Sequence, residues 1–81
     1  MKPLVSIILP SYNHEGYIGK AIDSVLNQTF QNYELLISDD CSTDGTVNVI
    51  MQYNDLRIKF HKFSENQGAT INHKYLIEQA M

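Results

Sequence analysis

Glu34-Leu-Leu-Ile-Ser-Asp-Asp-Cys-Ser-Thr-Asp-Gly-Thr46 begins apolar and ends polar. The apolar part has the length of a buried strand. It breaks at the acidic pair Asp39-Asp40 and a run of turn-forming residues, after which Val47, Ile50 and Met51 recur at helical spacing. Upstream, Val5-Ser-Ile-Ile-Leu-Pro-Ser-Tyr-Asn13 repeats the design, with an apolar run, a polar exit and a helical stripe of Ile18, Ile22, Val25 and Leu26. Strands that end in polar groups just before a helix deliver those groups to the crevice at the carboxyl edge of a parallel sheet.

The remaining pattern extends this alternation. Asn13 is placed to cap the first helix, with Glu15 near its positive end, and that helix should stop near Thr29. Thr43 or Asp44 caps the second, Asp44 serving the helix rather than a ligand, and Asn54-Asp55 ends it. Residues 57 to 63 predict a third strand with Ile58 and Phe60 on one face and Lys59 and His61 on the other. Gly68 marks a turn, and Thr70 opens a last helix with Ile71, Tyr75 and Leu76 inward. The order β-α-β-α-β-α implies an α/β, three-layer Rossmann-like fold, a parallel sheet with right-handed crossovers and strand order 3-2-1. The first strand, the most apolar, then lies at an edge, so a homodimer through it, or poor solubility, is expected.

Composition narrows the function. At 81 residues and a net charge of −3, the chain makes one small domain without the basic surface that binding nucleic acid requires. Its one basic stretch, Arg57, Lys59, His61 and Lys62, is expected to be a solvated strand face. A single cysteine, Cys41, excludes an intrachain disulfide, and no apolar run approaches the roughly 20 residues that span a bilayer. A cytoplasmic location is therefore expected. His14, His61 and His73 lack metal-ligand spacing, so no zinc site is expected, and no nucleophile elbow or Ser-His-Asp order occurs.

Two positions stand out for chemistry. Tyr12, just past the first strand, can stack on a nucleobase or pack on the first helix. Asp39 and Asp40 are adjacent, so along a strand they point to opposite faces and do not form one chelating pair. They can meet a ligand or satisfy backbone N–H groups of the turn.

Pro-Ser-Tyr-Asn after the first strand, Leu-Asn-Gln-Thr-Phe closing the first helix, Asp-Asp-x-Ser-Thr-Asp-Gly-Thr after the second strand and Glu65-Asn-Gln-Gly68 occur here in one order and spacing. In these blocks, from Pro3 to Ala80, the chain resembles the N-terminal nucleotide-binding part of family 2 glycosyltransferases. The resemblance implies a GT-A fold and residues 1 to 81 as a truncated nucleotide-sugar-binding subdomain. The donor would be a nucleotide-diphosphate sugar, commonly a UDP-sugar, and the acceptor a sugar, lipid or polysaccharide. It places Pro10, Ser11, Tyr12, Asp39 and Asp40 at the nucleotide, Asp40 accepting from the uracil ring nitrogen, and Asn66, Gly68 and Lys74 in secondary roles. A divalent cation (Mg2+ or Mn2+) is implied for the whole enzyme. Its acidic motif, like the catalytic carboxylate, lies beyond the resembling stretch, so these residues are expected to bind nucleotide and transfer nothing alone. Cys41 stands where the family usually has glycine or asparagine, and Asn72-His73-Lys74 where Ala-Arg-Asn is more frequent. The competing expectation is a noncatalytic, receiver-like α/β module, although receivers place their acidic pair after the first strand. A dinucleotide dehydrogenase is disfavoured because no G-x-G-x-x-G follows the first strand.

Overall fold

The computed structural model describes residues 3 and 5–80. The elements are β1 (Val5–Ser11), α1 (Ile18–Leu26), β2 (Tyr33–Asp39), α2 (Thr46–Met51), β3 (Ile58–Lys62) and α3 (Ala69–Ala80), the alternation that the apolar periodicity predicts. The sheet is parallel, with β2 between β1 and β3, which leaves β1 at an edge. β1 and β2 pair from Val5 opposite Tyr33 to Ser11 opposite Asp39, and β3 joins from Ile58 opposite Leu35 to Lys62 opposite Asp39. The three strands therefore finish level, and their exit loops share one rim.

Alternation along β2 divides the interior. Tyr33, Leu35 and Ile37 pack with Ile18 and Ile22 of α1 and Ile50 of α2, and Ile7, Leu9, Ile58 and Phe60 close around them. Burying each such aliphatic side chain contributes roughly 1.5–3 kcal/mol. The other face of the sheet lies under α3, which crosses β1 and β2. Leu76 is buried there, and the buried Asn72 donates through Nδ2 to the Ser38 carbonyl oxygen at 3.0 Å. Tyr53, just past α2, places its hydroxyl 2.7 Å from Asp23 and 3.0 Å from the Gly19 carbonyl oxygen, tying α2 to α1. Burial, with Asp23 adding to it, pushes this phenol up to about 12.

Several local expectations are corrected. Asn13 does not cap α1; it takes a left-handed conformation (φ 51), and α1 begins at Ile18 after a turn closed on the His14 carbonyl. Glu15 instead accepts the Gly45 N–H, ahead of α2. Met51 and Ile71, expected inward, are 66% and 50% exposed. Val49 takes the inner place on α2, and on α3 the Asn72–Leu76 stripe wins because the Asn72 amide satisfies a carbonyl of the sheet. The basic stretch is not a solvated face throughout. His61 stacks on Tyr75 with ring centroids 4.2 Å apart, and Arg57 lies 4.8 Å from the Tyr33 ring centre.

Arg57 also pairs with Asp55 at 2.7 Å. Hydrogen bonds from the Arg57 side chain hold the Asp55 carboxyl down, from its ordinary 3.8 to about 2. A depressed folded-state value stabilises the fold above the unfolded value, and the contribution disappears as pH falls through the folded one. Asp55→Asn should therefore cost no more than about 1 kcal/mol near neutrality, since water screens the pair. In urea titrations at stepped pH, the wild-type advantage should shrink between pH 3.8 and about 2; a constant gap would contradict this.

Candidate nucleotide site

At the level rim of the sheet, the exit loops of β1 and β2 are joined by complementary backbone and side-chain groups. The Asn13 N–H donates to Ser42 Oγ at 2.9 Å, while Asn13 Oδ1 accepts from the Thr43 N–H at 2.8 Å. The His14 N–H donates to Thr46 Oγ1 at 2.8 Å, and the Gly45 N–H to Glu15 at 3.0 Å. Asp44 accepts the Thr46 N–H at 2.9 Å in a turn bond, but the N-cap of α2 is Gly45 with no side-chain cap, so neither Thr43 nor Asp44 caps the helix as expected. The Thr46 side-chain hydrogen bond holds the Asp44 carboxyl below the usual carboxylate range.

The acidic pair divides its work between the two faces, as adjacent strand positions require. Asp39, fully buried, accepts from Ser11 Oγ at 2.8 Å and from the backbone and hydroxyl of Ser42 at 2.8 and 2.6 Å. Both carboxylate oxygens are thus used in fastening β1 to the loop after β2. Asp40 is 2% exposed and turns to the α3 side. Its Oδ1 accepts the Gln67 N–H at 2.6 Å and its Oδ2 the Gly68 N–H at 2.9 Å. Asn66 Nδ2 donates to the Asp40 carbonyl oxygen at 3.2 Å. The loop before α3 is therefore folded around one carboxylate, and Gly68 turns there with φ 92, a conformation that glycine adopts freely.

These loops enclose a cavity of about 390 Å³. Pro10, Ser11 and Tyr12 form the wall from β1, Asp40 lies within, and Asn66 and Gly68 close the far side. Tyr12 is 43% exposed and is not packed away under α1. Of the residues singled out from sequence, Asp39 and Lys74 do not line the cavity. Four others do: His14 from the β1 exit, and Ala69, Asn72 and His73 from α3. The α3 residues sit at i, i+3 and i+4 behind Gly68, a helical spacing that could have disclosed them, whereas nothing in the sequence marks His14. Among the described residues, no group of three or more His, Cys, Asp or Glu side chains converges on one point, so they do not fit a divalent-cation centre.

The sequence model of glycosyl transferase family 2 matches residues 6–81. The chain belongs to glycosyl transferase family 2.

Named relatives of this family 2 chain include the putative teichuronic acid biosynthesis glycosyltransferase TuaG of Bacillus subtilis, 46% identical over 98% of the chain and 32% of the relative. Another is the UDP-Glc:alpha-D-GlcNAc-diphosphoundecaprenol beta-1,3-glucosyltransferase WfgD of Escherichia coli, 54% identical over 82% of the chain and 26% of the relative. The chain thus spans about a third or less of these relatives' length. Among solved structures, S. aureus TarS 1-349 in complex with UDP superposes with a TM-score of 0.85 at 34% identity, over 99% of the chain and 24% of that protein. The mannosyltransferase PcManGT of Pyrobaculum calidifontis, in complex with GDP-Man and Mn2+, shares the fold at a TM-score of 0.86 and 24% identity, over 100% of the chain and 25% of that protein. The fold is accordingly that of GT-A glycosyltransferases.

One position in the acidic loop of this family 2 chain bears strain. Cys41 has φ 61, a left-handed conformation that costs an ordinary side chain about 1–2 kcal/mol and that asparagine tolerates. Cys41→Asn is expected to stabilise the fold by about 0.5–1 kcal/mol, measured as a shift of the urea midpoint at unchanged slope. A loss of stability would show that the Cys41 Sγ contact with the Ser64 carbonyl oxygen, at 3.5 Å, outweighs the strain.

Proposed function

We propose that this chain holds the nucleoside of a UDP-sugar donor in a glycosyltransferase that passes the sugar to an acceptor hydroxyl on a sugar, lipid or polysaccharide. The observation that carries this reading is the cavity at the carboxyl ends of β1 and β2, where an exposed Tyr12 ring and the buried Asp40 carboxylate line one space. A base stacked on Tyr12 gains about 1–3 kcal/mol, the scale of base–aromatic stacking. The bonds from Gln67 and Gly68 occupy one acceptor site on each Asp40 oxygen, and a carboxylate has about four, so acceptor capacity remains for a ring N–H. Uracil presents such a donor at N3. Cytosine presents an acceptor there and would face the carboxylate lone pair to lone pair. Pro10 and Ser11 shape the wall, Asn66 and Gly68 hold the loop in place, and Asp39 positions the β1 exit from behind. The WfgD name and the UDP bound to TarS support uridine as the nucleoside.

No catalytic residue is assigned within these residues. A divalent cation, Mg2+ or Mn2+, would belong to the whole transferase, with ligands outside the described residues. No helix among those residues is long and apolar enough to cross a membrane. A cytoplasmic site of action, at or near the inner face of the membrane, is part of the same proposal.

Amide NMR of the labelled 81-residue chain tests the reading. UDP should shift the amides around Tyr12 and Asp40 saturably, with a dissociation constant near millimolar, or about 4 kcal/mol, whereas CDP should bind at least tenfold more weakly. Equal binding of the two would remove Asp40 from base recognition, and no binding of either would overturn the assignment of the cavity.

The open edge of β1 carries a second expectation. Val5 is 42% exposed, and no strand among the described residues pairs with the outer side of β1, so the 81-residue chain should self-associate through β1. Light scattering that shows only a monomer at high concentration would contradict this.

A further inference from the structure

The cavity contains the buried carboxylate of Asp40 and, among the described residues, is lined by no lysine or arginine, whereas a nucleotide-diphosphate sugar brings two negative charges. Its other ionisable side chains are Tyr12 and two imidazoles, His14 on the β1 exit and His73 on α3, both exposed. The β1 exit and α3 are separate elements, and the two imidazoles reach the same space from them. Resting on the assignment of the cavity to a nucleoside diphosphate, we propose that His14 and His73 form the diphosphate-facing part of the site, so that the donor binds more tightly when they carry protons. An imidazolium donates from both ring nitrogens and carries charge, whereas neutral imidazole keeps one donor and no charge.

The surroundings of each ring suit this role. The His14 backbone is fixed by its N–H bond to Thr46 Oγ1, and its ring meets Tyr17 edge to face at 6.2 Å. The charged groups beside it are Glu15, taken up by the Gly45 N–H, and Asp44, taken up by Thr46. Across the cavity lies Asp40, bound to Gln67 and Gly68. His73 stands one helical turn past the glycine turn, with Lys74 as its charged neighbour on α3. The nearby carboxylates are thus engaged by backbone and hydroxyl donors, and neither ring is held by a hydrogen bond from its side-chain nitrogens to a described residue.

The test titrates the 81-residue chain with UDP-glucose and with uridine between pH 8 and pH 5.5. UDP-glucose is chosen because its diphosphate diester keeps its charge across that range, which free UDP does not. UDP-glucose should tighten about tenfold on acidification, while uridine changes less than twofold. His14→Gln and His73→Gln should each remove part of the gain and the double variant nearly all of it, with an unchanged circular dichroism spectrum and urea midpoint as proof of folding. UDP-glucose binding that is independent of pH, a double variant that keeps the full gain, or UDP-glucose no tighter than uridine at any pH would each overturn the proposal and leave the base site standing. If neither compound binds, the nucleoside assignment fails, and this proposal with it.

Discussion

Asp39→Ala should cost the chain a large share of its stability, although Asp39 does not line the cavity. Three donors, Ser11 Oγ and the N–H and Oγ of Ser42, end on this fully buried carboxylate. Truncation strands them and opens a void where β1, β2 and the next loop meet. Hydrogen bonds to a charged group contribute about 1.5–3 kcal/mol each, and a loss of about 3–5 kcal/mol in all is expected, because the two hydroxyls can turn to other partners. A domain of 81 residues is stable by roughly 4–12 kcal/mol in total. Circular dichroism and urea unfolding would show the loss; a variant within about 1 kcal/mol of wild type would refute the fastening role.

Asp40→Asn should separate the loop from the ligand. The amide keeps one acceptor oxygen but turns an N–H₂ group toward either the Gln67 or the Gly68 N–H, so the loop before α3 loosens at a cost of about 2–3 kcal/mol. The same exchange replaces an acceptor by a donor on the cavity side, and UDP binding should fall more than tenfold. Two readouts keep these effects apart. Hydrogen exchange at Gln67 and Gly68 reports the loop, and the UDP titration reports the base. Unchanged UDP affinity in a folded Asp40→Asn chain would mean that the carboxylate serves the loop alone.

The architecture was open to reading from sequence because β1 and β2 are mainly apolar runs that stop at a polar exit, while β3 alternates apolar and polar residues. Burial on both faces suppresses alternation in β2, and the uninterrupted Leu35-Leu36-Ile37 run is the signature of that burial. The opposed directions of Asp39 and Asp40 followed from strand geometry alone. What failed were choices decided by long-range polar bonds. Asn13 had the right residue type and place for a helix cap, but Ser42 and Thr43 compete for it from the neighbouring loop. Ile71 lost its inward place to Asn72 because a buried carbonyl on β2 needed a donor. His14 was invisible as a cavity residue because an exposed loop position carries no periodic signal, whereas His73 shares a helical face with Ala69 and Asn72. Family resemblance, rather than residue pattern, supplied the nucleotide.

The bonds that tie the three exit loops to one another join residues from 23 to 32 positions apart. Loops of that length close only at an entropic cost that the first contacts do not offset, so such contacts belong to the later part of folding. No turn or hairpin of this chain can display a partial pocket: the cavity comes into being when β1, β2 and β3 are already aligned. A nucleotide that occupies it engages all three loops together and has nothing comparable to grip in the unfolded chain. Its binding free energy would therefore add to the folding free energy of the whole domain, so a bound nucleotide would raise the resistance of the chain to unfolding.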